Sequence, residues 1–386
     1  MNSTMPLRQP LPSFSPPRFE QNPVVTAGGV DRVLLGSAVG LASLGLVMVF
    51  GASFFWGEDR LGDPWAMASR QAVLMCLAAF VGWTLSKIPP SVLRRFAYPF
   101  LAVVLVLLAM VLIPGLGQVR GGARRWISLG IAFEPSELLK PALVIYLAHS
   151  LTKKRERMQS FVYGVLPHLL VVLVPMTLLM GQPDFGATAL AALLTGAMLF
   201  VAGARPALLF GPALAAITAG AALVYSSPYR WKRVMGFLDP FADSLGSGFQ
   251  LVQSFIAFGS GGVTGVGLGA GRQKLFYLPE AHTDFIFALI GEELGFVGGA
   301  LVLLAFAVVA QRGFRLANRA GDSFTSLLAF GITFVITVQA ALNIAVVMGC
   351  LPTKGMPLPL LSYGGTSLVT TVGMIGILLG ISREVR

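Results

Sequence analysis

The sequence predicts an all-α polytopic membrane protein of about ten transmembrane helices, with a long extracytoplasmic loop between helices 7 and 8. Three observations predict it. Of 386 residues, 55% are hydrophobic and 12% charged, with a mean hydropathy of +0.77, far outside the range of water-soluble chains. Ten apolar runs approach the roughly 20 residues that cross a bilayer core. Basic residues gather in alternate connections, as they do in cytoplasmic loops.

Residues 1–30, rich in Pro, Ser and Gln, are expected to be a disordered cytoplasmic tail and not a cleaved signal peptide. The membrane domain then covers 31–383, with spans at 32–54, 66–86, 97–114, 136–151, 160–181, 185–203, 206–225, 284–310, 324–348 and 364–382. The fourth is short and interrupted by Lys140 and Pro141, and tight turns join the fifth to the sixth and the sixth to the seventh. Lys87, Arg94 and Arg95, then Lys153, Lys154, Arg155 and Arg157, then Arg205, then Arg312, Arg315 and Arg319 occupy alternate connections. They share a side with both termini, which places both ends in the cytoplasm. The net charge of +11 follows from this topology, so no nucleic-acid partner is expected. Cys76 and Cys350 lie in apolar stretches far apart and indicate neither a disulfide framework nor a thiolate metal site.

Two outer loops break the charge rule. The connection before the fourth span carries Arg120, Arg124 and Arg125, with Lys140 below them. Residues 226–283 carry Arg230, Lys232, Arg233, Arg272 and Lys274. Cations on the disfavoured side suit a polyanion such as a lipid diphosphate. Within the long loop, FQLVQSFIAFG places Phe249, Val252 and Ile256 at helical spacing, as in an interfacial helix. GSGGVTGVGLGAG lacks the Lys-Ser/Thr ending of a phosphate-binding loop and reads as a hinge or a close backbone approach to a ligand.

The densest cluster of acids is at residues 276–295, with Glu280, His282, Asp284, Glu292 and Glu293. Asp284 fits two readings: an acid in a first helical turn, facing the helix dipole, or a general base at a wet membrane surface. Glu292 and Glu293 lie about 12–13.5 Å further down a straight helix. Intramembrane acids need a cavity or a partner, and Lys140 is a candidate partner for either, although Lys140 could instead pair with Glu137 three residues before it. His282 with Glu280 and Asp284 could bind a divalent ion, but no spacing supports a permanent metal, so a substrate-borne Mg²⁺ or Mn²⁺ is the more modest expectation. Asp184 after Pro183 reads as a helix-start residue. Trp126 is either an interfacial anchor or a platform for a sugar. CLPTKGMPLPLLSYGG, with three prolines and Lys354, cannot be a continuous helix and reads as a rigid re-entrant turn.

Five motifs in order carry a resemblance: GARRWISLG at 122–130, PSELLK at 135–140, QPDFG at 182–186, LPEAHTDFIFALIGEELG at 278–295 and PLPLLSYGGTS at 357–367. Over essentially its whole membrane part the chain resembles the SEDS family of peptidoglycan glycosyltransferases, and its division branch more than its elongation branch. Thr366 stands where Ser is commoner, a mild departure.

The resemblance implies polymerisation of lipid II, the undecaprenyl-diphosphate-linked disaccharide pentapeptide, outside the cytoplasmic membrane at the division site. It implies a class B penicillin-binding transpeptidase and other divisome membrane proteins as partners, and no organic cofactor. Asp284 matches the family's essential loop aspartate; Trp126 and Lys140 match residues of its central cavity, and Glu292 a cavity acid. On this reading Asp284 is catalytic, His282 and Glu292 contact substrate, and Arg124, Arg125, Lys140, Lys354 or a divalent ion stabilise the leaving diphosphate. A lipid II flippase and a non-catalytic divisome scaffold are the rival readings. The outward placement of the extra cations disfavours the first, and Asp284 has no task in the second.

Overall fold

The computed structural model describes residues 29–385, apart from 121, 122, 130, 280 and 354. The expected tail up to residue 28, Glu280 and Lys354 therefore lie outside the described residues. The described chain forms α1 (Arg32–Leu61), α2 (Ala66–Leu85), α3 (Pro90–Arg95) and α4 (Ala97–Leu112), then β1 (Gly117–Arg120), β2 (Ala123–Leu129) and β3 (Ile131–Phe133). There follow α5 (Pro135–Lys153), α6 (Leu166–Gly181), α7 (Phe185–Val201), α8 (Pro206–Tyr225), α9 (Pro228–Leu238), α10 (Phe249–Gly261), α11 (Ile286–Arg319), α12 (Ser323–Val347) and α13 (Gly365–Glu384).

Each of the ten expected spans is a helix. Seven are long and apolar enough to cross a membrane, and α4 and α7 are shorter apolar helices. The tenth, α5, carries Glu137, Lys140 and Lys153, yet nearly all of it is buried within the bundle. Short polar side chains fix several helix starts: Asp31 accepts from the N–H groups of Val33 and Leu34, Asp184 from Ala187, and Asp322 from Phe324 and Thr325. Proline opens α3, α5, α8 and α9, where its missing N–H costs nothing.

The core is built from α5, α11, α12 and α13. The last of these packs on α2, while α12 lies between α5 and α11. At the other extreme, α8 buries none of its residues against the rest of the chain.

Four features differ from the sequence-based expectation. The connection before α5 is an antiparallel meander, β1-β2-β3, on an otherwise helical frame. Helix α11 begins after Asp284, at Ile286, and continues to Arg319, so Asp284 is not in a first helical turn. The buried residues of α10, which packs against α11, are Leu251, Val252, Ser254, Ala257 and Gly261, so Val252 faces in as expected while Ile256 is exposed.

The fourth difference is a break in α11. Gly295 has φ 64° and ψ −162°, a conformation open to glycine. The break removes two helical rungs, from Phe296 N–H to the Glu292 carbonyl and from Val297 N–H to the Glu293 carbonyl. The glycine-rich segment replaces both. Phe296 and Val297 donate to the carbonyls of Gly262 and Val263 at 2.9 and 3.1 Å, and Val266 and Gly267 donate to those of Glu292 and Glu293 at 3.0 and 3.1 Å. The four backbone groups of those two rungs are thus satisfied within protein, as membrane depth demands. The close backbone approach expected of this glycine run is made to α11.

Candidate active site

Asp284 lies in a non-helical turn that leads into α11, and the buried side chains of Asn343 and Ser362 and the main chain of Tyr363 hold that turn. The Asn343 amide of α12 donates to the Asp284 carbonyl at 2.8 Å and to that of Met356 at 2.7 Å. Ser362 Oγ donates to the Thr283 carbonyl, and Tyr363 N–H donates to that of His282 at 2.8 Å. The His282 ring meets the Tyr363 ring edge-on, with centroids 5.8 Å apart. The residue 348–364 connection is non-helical, as expected, and Leu358, Leu360, Leu361 and Ser362 bury it beneath the site. Leu360 has φ 67°, a left-handed conformation costing about 1–2 kcal/mol, held here by its packed surroundings.

One turn before Asn343, Gln339 joins the same loop to α5. Its amide donates to the Pro357 carbonyl at 2.9 Å, and its carbonyl accepts from Lys140 Nζ at 2.7 Å. Lys140 also donates to both carboxylate oxygens of Glu137 at 2.7 Å. The partner of Lys140 is thus Glu137, and the pairing with Glu292 or Glu293 does not form. A buried cation with three short acceptors is fully compensated and links α5 to α12.

Glu292 and Glu293 are 2% and 4% exposed, and their carboxylates turn to the outer loop. Glu292 accepts from the N–H groups of Arg272 and Gln273 at 2.8 and 3.2 Å. Glu293 accepts from Gly269 N–H and from Lys274 Nζ, each at 2.9 Å. Lys274, expected among the polyanion-holding cations, is instead a buried ion-pair partner. Glu292, expected to contact substrate, holds the backbone of the loop. The straight-helix depth estimate missed this because the loop folds down against the break at Gly295.

Strand β2 separates the cations read as one cluster, because neighbouring side chains leave a strand on opposite faces. Arg124 donates to the Leu112 carbonyl of α4 at 3.2 Å. Arg125 reaches the turn before α7, donating to the Pro183 carbonyl at 2.8 Å with Nε 3.7 Å from Asp184 Oδ2. Asp184 therefore both caps α7 and anchors Arg125. Trp126 pairs with Gln118 in the β1–β2 register and is half-buried. In the long outer segment, Arg230 stacks 4.2 Å from the Phe185 ring centroid and donates to the Leu223 carbonyl.

Asp284 and Arg125 converge at Gly355. A Cβ on that glycine would lie 3.0 Å from Asp284 Oδ2 and 4.0 Å from Arg125 Nη1. A carboxylate and a guanidinium thus flank one patch of bare backbone, where any larger residue would crowd them.

Glu134, just outside α5, is a residue that sequence reasoning missed. Its N–H donates to Thr366 Oγ1 at 3.1 Å and its carboxylate accepts from Ser136 Oγ at 3.0 Å. Burial raises its pKa from 4.5 to about 8, the Glu137 and Asp184 carboxylates add to the rise, and Arg125 opposes it. The signal available in the sequence was the acid three residues before Glu137 at the foot of a span.

The family model for the FtsW/RodA/SpoVE cell cycle proteins matches residues 32–386. The chain belongs to that family. Among its relatives is a probable peptidoglycan glycosyltransferase FtsW of Trichlorobacter lovleyi, 44% identical over 357 residues, 92% of this chain and 94% of the relative. Stage V sporulation protein E of Bacillus subtilis is 41% identical, with 92% of this chain and 98% of that protein covered. Among solved structures, a component of a complex described as a peptidoglycan synthase that coordinates polymerization and crosslinking aligns with a TM-score of 0.75 and 31% identity, covering 92% of this chain and 98% of that one. The rod shape determining protein RodA of Thermus thermophilus aligns at 0.68 and 28%, covering 92% and 97%. The five motifs that carry the resemblance all lie within the matched span, and the FtsW/RodA/SpoVE protein described here is a multi-pass membrane protein.

Proposed function

We propose that this chain is a peptidoglycan glycosyltransferase that polymerises lipid II into glycan strands during cell division, with Asp284 as general base. The observation that supports it most directly is the convergence of Asp284 and Arg125 on Gly355, at a turn that two separate segments, α12 and the loop before α13, hold in place. Family membership supplies the reaction class.

In this reading Asp284 takes the proton from the 4-hydroxyl of the acceptor GlcNAc. The oxygen forms a bond to the anomeric carbon of the donor with inversion, and the carbon–oxygen bond to undecaprenyl diphosphate breaks, the electron pair leaving with the diphosphate. Arg125, whose guanidinium shares the Gly355 patch with the carboxylate, opposes the growing charge on the leaving group. Lys140, locked between Glu137 and Gln339, acts as a positioning residue. Lys354 is proposed to contact the diphosphate from the loop that carries Gly355. The described residues hold no group of three or more His, Cys, Asp or Glu side chains suited to a metal, so no step is routed through Mg²⁺ or Mn²⁺. A divalent ion would enter with the diphosphate of the donor, as part of the substrate.

The Asp284 end of the bundle faces the outside of the cytoplasmic membrane, and both termini face the cytoplasm at the division site. A class B penicillin-binding transpeptidase is the proposed partner, supported by the structural neighbour's origin in a complex that couples polymerization to crosslinking. Other divisome membrane proteins complete the assembly.

Fluorescent lipid II supplied to the purified chain and its transpeptidase partner tests the proposal. Asp284→Ala should abolish polymer while the protein elutes and unfolds as the parent does. Unimpaired glycan synthesis by that variant would refute the assignment, and lipid II translocation without polymer would favour the flippase.

A further inference from the structure

The N-terminus of α1, the last turns of α11 and the C-terminus of α13 enclose a cleft of about 870 Å³ at the end of the bundle remote from Asp284. Arg32, Arg312, Arg315 and Arg319 line it, against one acid among the described residues, Asp31. That acid is already engaged. One oxygen caps α1 through Val33 and Leu34 at 3.0 Å, and the other lies 3.6 Å from Arg312 Nη1.

Orientation in the membrane accounts for basic residues on this side, but that rule counts charges and does not require them to face one another. Here they do. Arg312, Arg315 and Arg319 recur at helical spacing on one face of α11, and Arg32 approaches from a second helix. Like charges so placed repel, unless an anion sits between them. Arg312 Nε is buried and finds no hydrogen-bond partner among the described residues. The cleft is also two-sided in character. Leu316 and Val385 form apolar wall, and the exposed Val33, Leu35 and Val39 continue up α1 as a path for hydrocarbon.

We propose that this cleft binds the headgroup of an anionic phospholipid from the cytoplasmic leaflet, its phosphates held by Arg32, Arg315 and Arg319. Guanidinium groups engage phosphate oxygens in pairs, and basic pockets between helices on the cytoplasmic side suit lipids with more than one phosphate. Diphosphatidylglycerol matches three arginines better than a lipid with one phosphate. The inference rests on the membrane orientation given above and is independent of the chemistry at Asp284.

The test is native mass spectrometry of the purified full chain, titrated separately with diphosphatidylglycerol, phosphatidylglycerol and phosphatidylcholine. A parallel arm follows thermal stability in inorganic pyrophosphate. The wild type should prefer diphosphatidylglycerol to phosphatidylcholine. The R315A/R319A double variant should lose about 25-fold in that affinity, at about fivefold for each arginine near a charged headgroup. Should the double variant fail to fold, R319Q alone should lose about fivefold. Equal binding of charged and neutral lipids, or a preference that survives both substitutions, would overturn the proposal. So would arginine-dependent stabilisation by pyrophosphate with no lipid preference, since the cleft would then be a site for free anions.

Discussion

Asn343 holds the main chain of Asp284 through a 2.8 Å hydrogen bond from its side-chain amide, and with its other contact ties that turn to the loop carrying Gly355. The proposed base is therefore placed by a residue that need never touch a sugar. Asn343→Ala should leave two buried carbonyls without their donor and let the turn drift. Displacements of about 1 Å can cost about 100-fold in rate, so glycan polymerisation should fall by about that factor. Comparing Asn343→Ala with Asp284→Ala in the same assay checks it: the first should retain measurable activity.

Lys140 and Glu137 form a pair in which each compensates the other's burial. Lys140→Met alone should destabilise the bundle by about 3–5 kcal/mol, because an unpaired carboxylate remains. Adding Glu137→Gln should restore much of that loss. Thermal unfolding of the two single variants and the double variant in one detergent gives the coupling; additive losses would contradict the pairing.

Glu134 gives stability a pH dependence of unusual sign. Its folded pKa of about 8 lies above the ordinary 4.5, so the folded chain holds a proton that the unfolded chain has released. Stability is fully present below about 4.5 and is lost as pH rises through about 8. Glu134→Gln should remove this fall. Melting curves at pH 6 and pH 9 should show the variant gaining on the wild type at the higher pH, with the gap narrowing at the lower.

Glu293 and Lys274 fasten the outer loop to α11. Glu293→Ala strands a buried ammonium and frees the Gly269 N–H. Hydrogen exchange across residues 262–277 should quicken, while α12 and α13 stay protected. A loop that exchanges no faster would show that the main-chain bonds to α11 hold it unaided.

Much of this architecture could be read directly from residue order. Apolar runs located a helix at each of the ten expected spans, seven of them long and apolar enough to cross a membrane, because bilayer thickness sets a minimum length for such a run. Asp184 was read correctly as a helix start because its capping partner is three residues away. What escaped was decided by contacts remote in sequence. The β1–β3 meander is too short, and too rich in arginine, to announce itself by alternation. Glu292 and Glu293 were measured along a straight helix, but nothing local to Gly295 signals that a second segment will replace two rungs there. Lys140 has three candidate acidic partners in the sequence, Glu137, Glu292 and Glu293, and the structure selects the one on its own helix. Glu134 stood in plain view beside a motif, and its raised proton affinity arises first from burial, which the packing of other elements decides, with the Glu137 and Asp184 carboxylates adding to it.

A helix interrupted at membrane depth ordinarily works as a pivot. In this chain the interruption within α11 is splinted, because residues 262–267 exchange main-chain bonds with both of its halves. Residues 262–267 and the two halves of α11 are therefore braced against one another, and bending α11 at Gly295 would have to break those bonds, which favours other elements as the joints of any rearrangement.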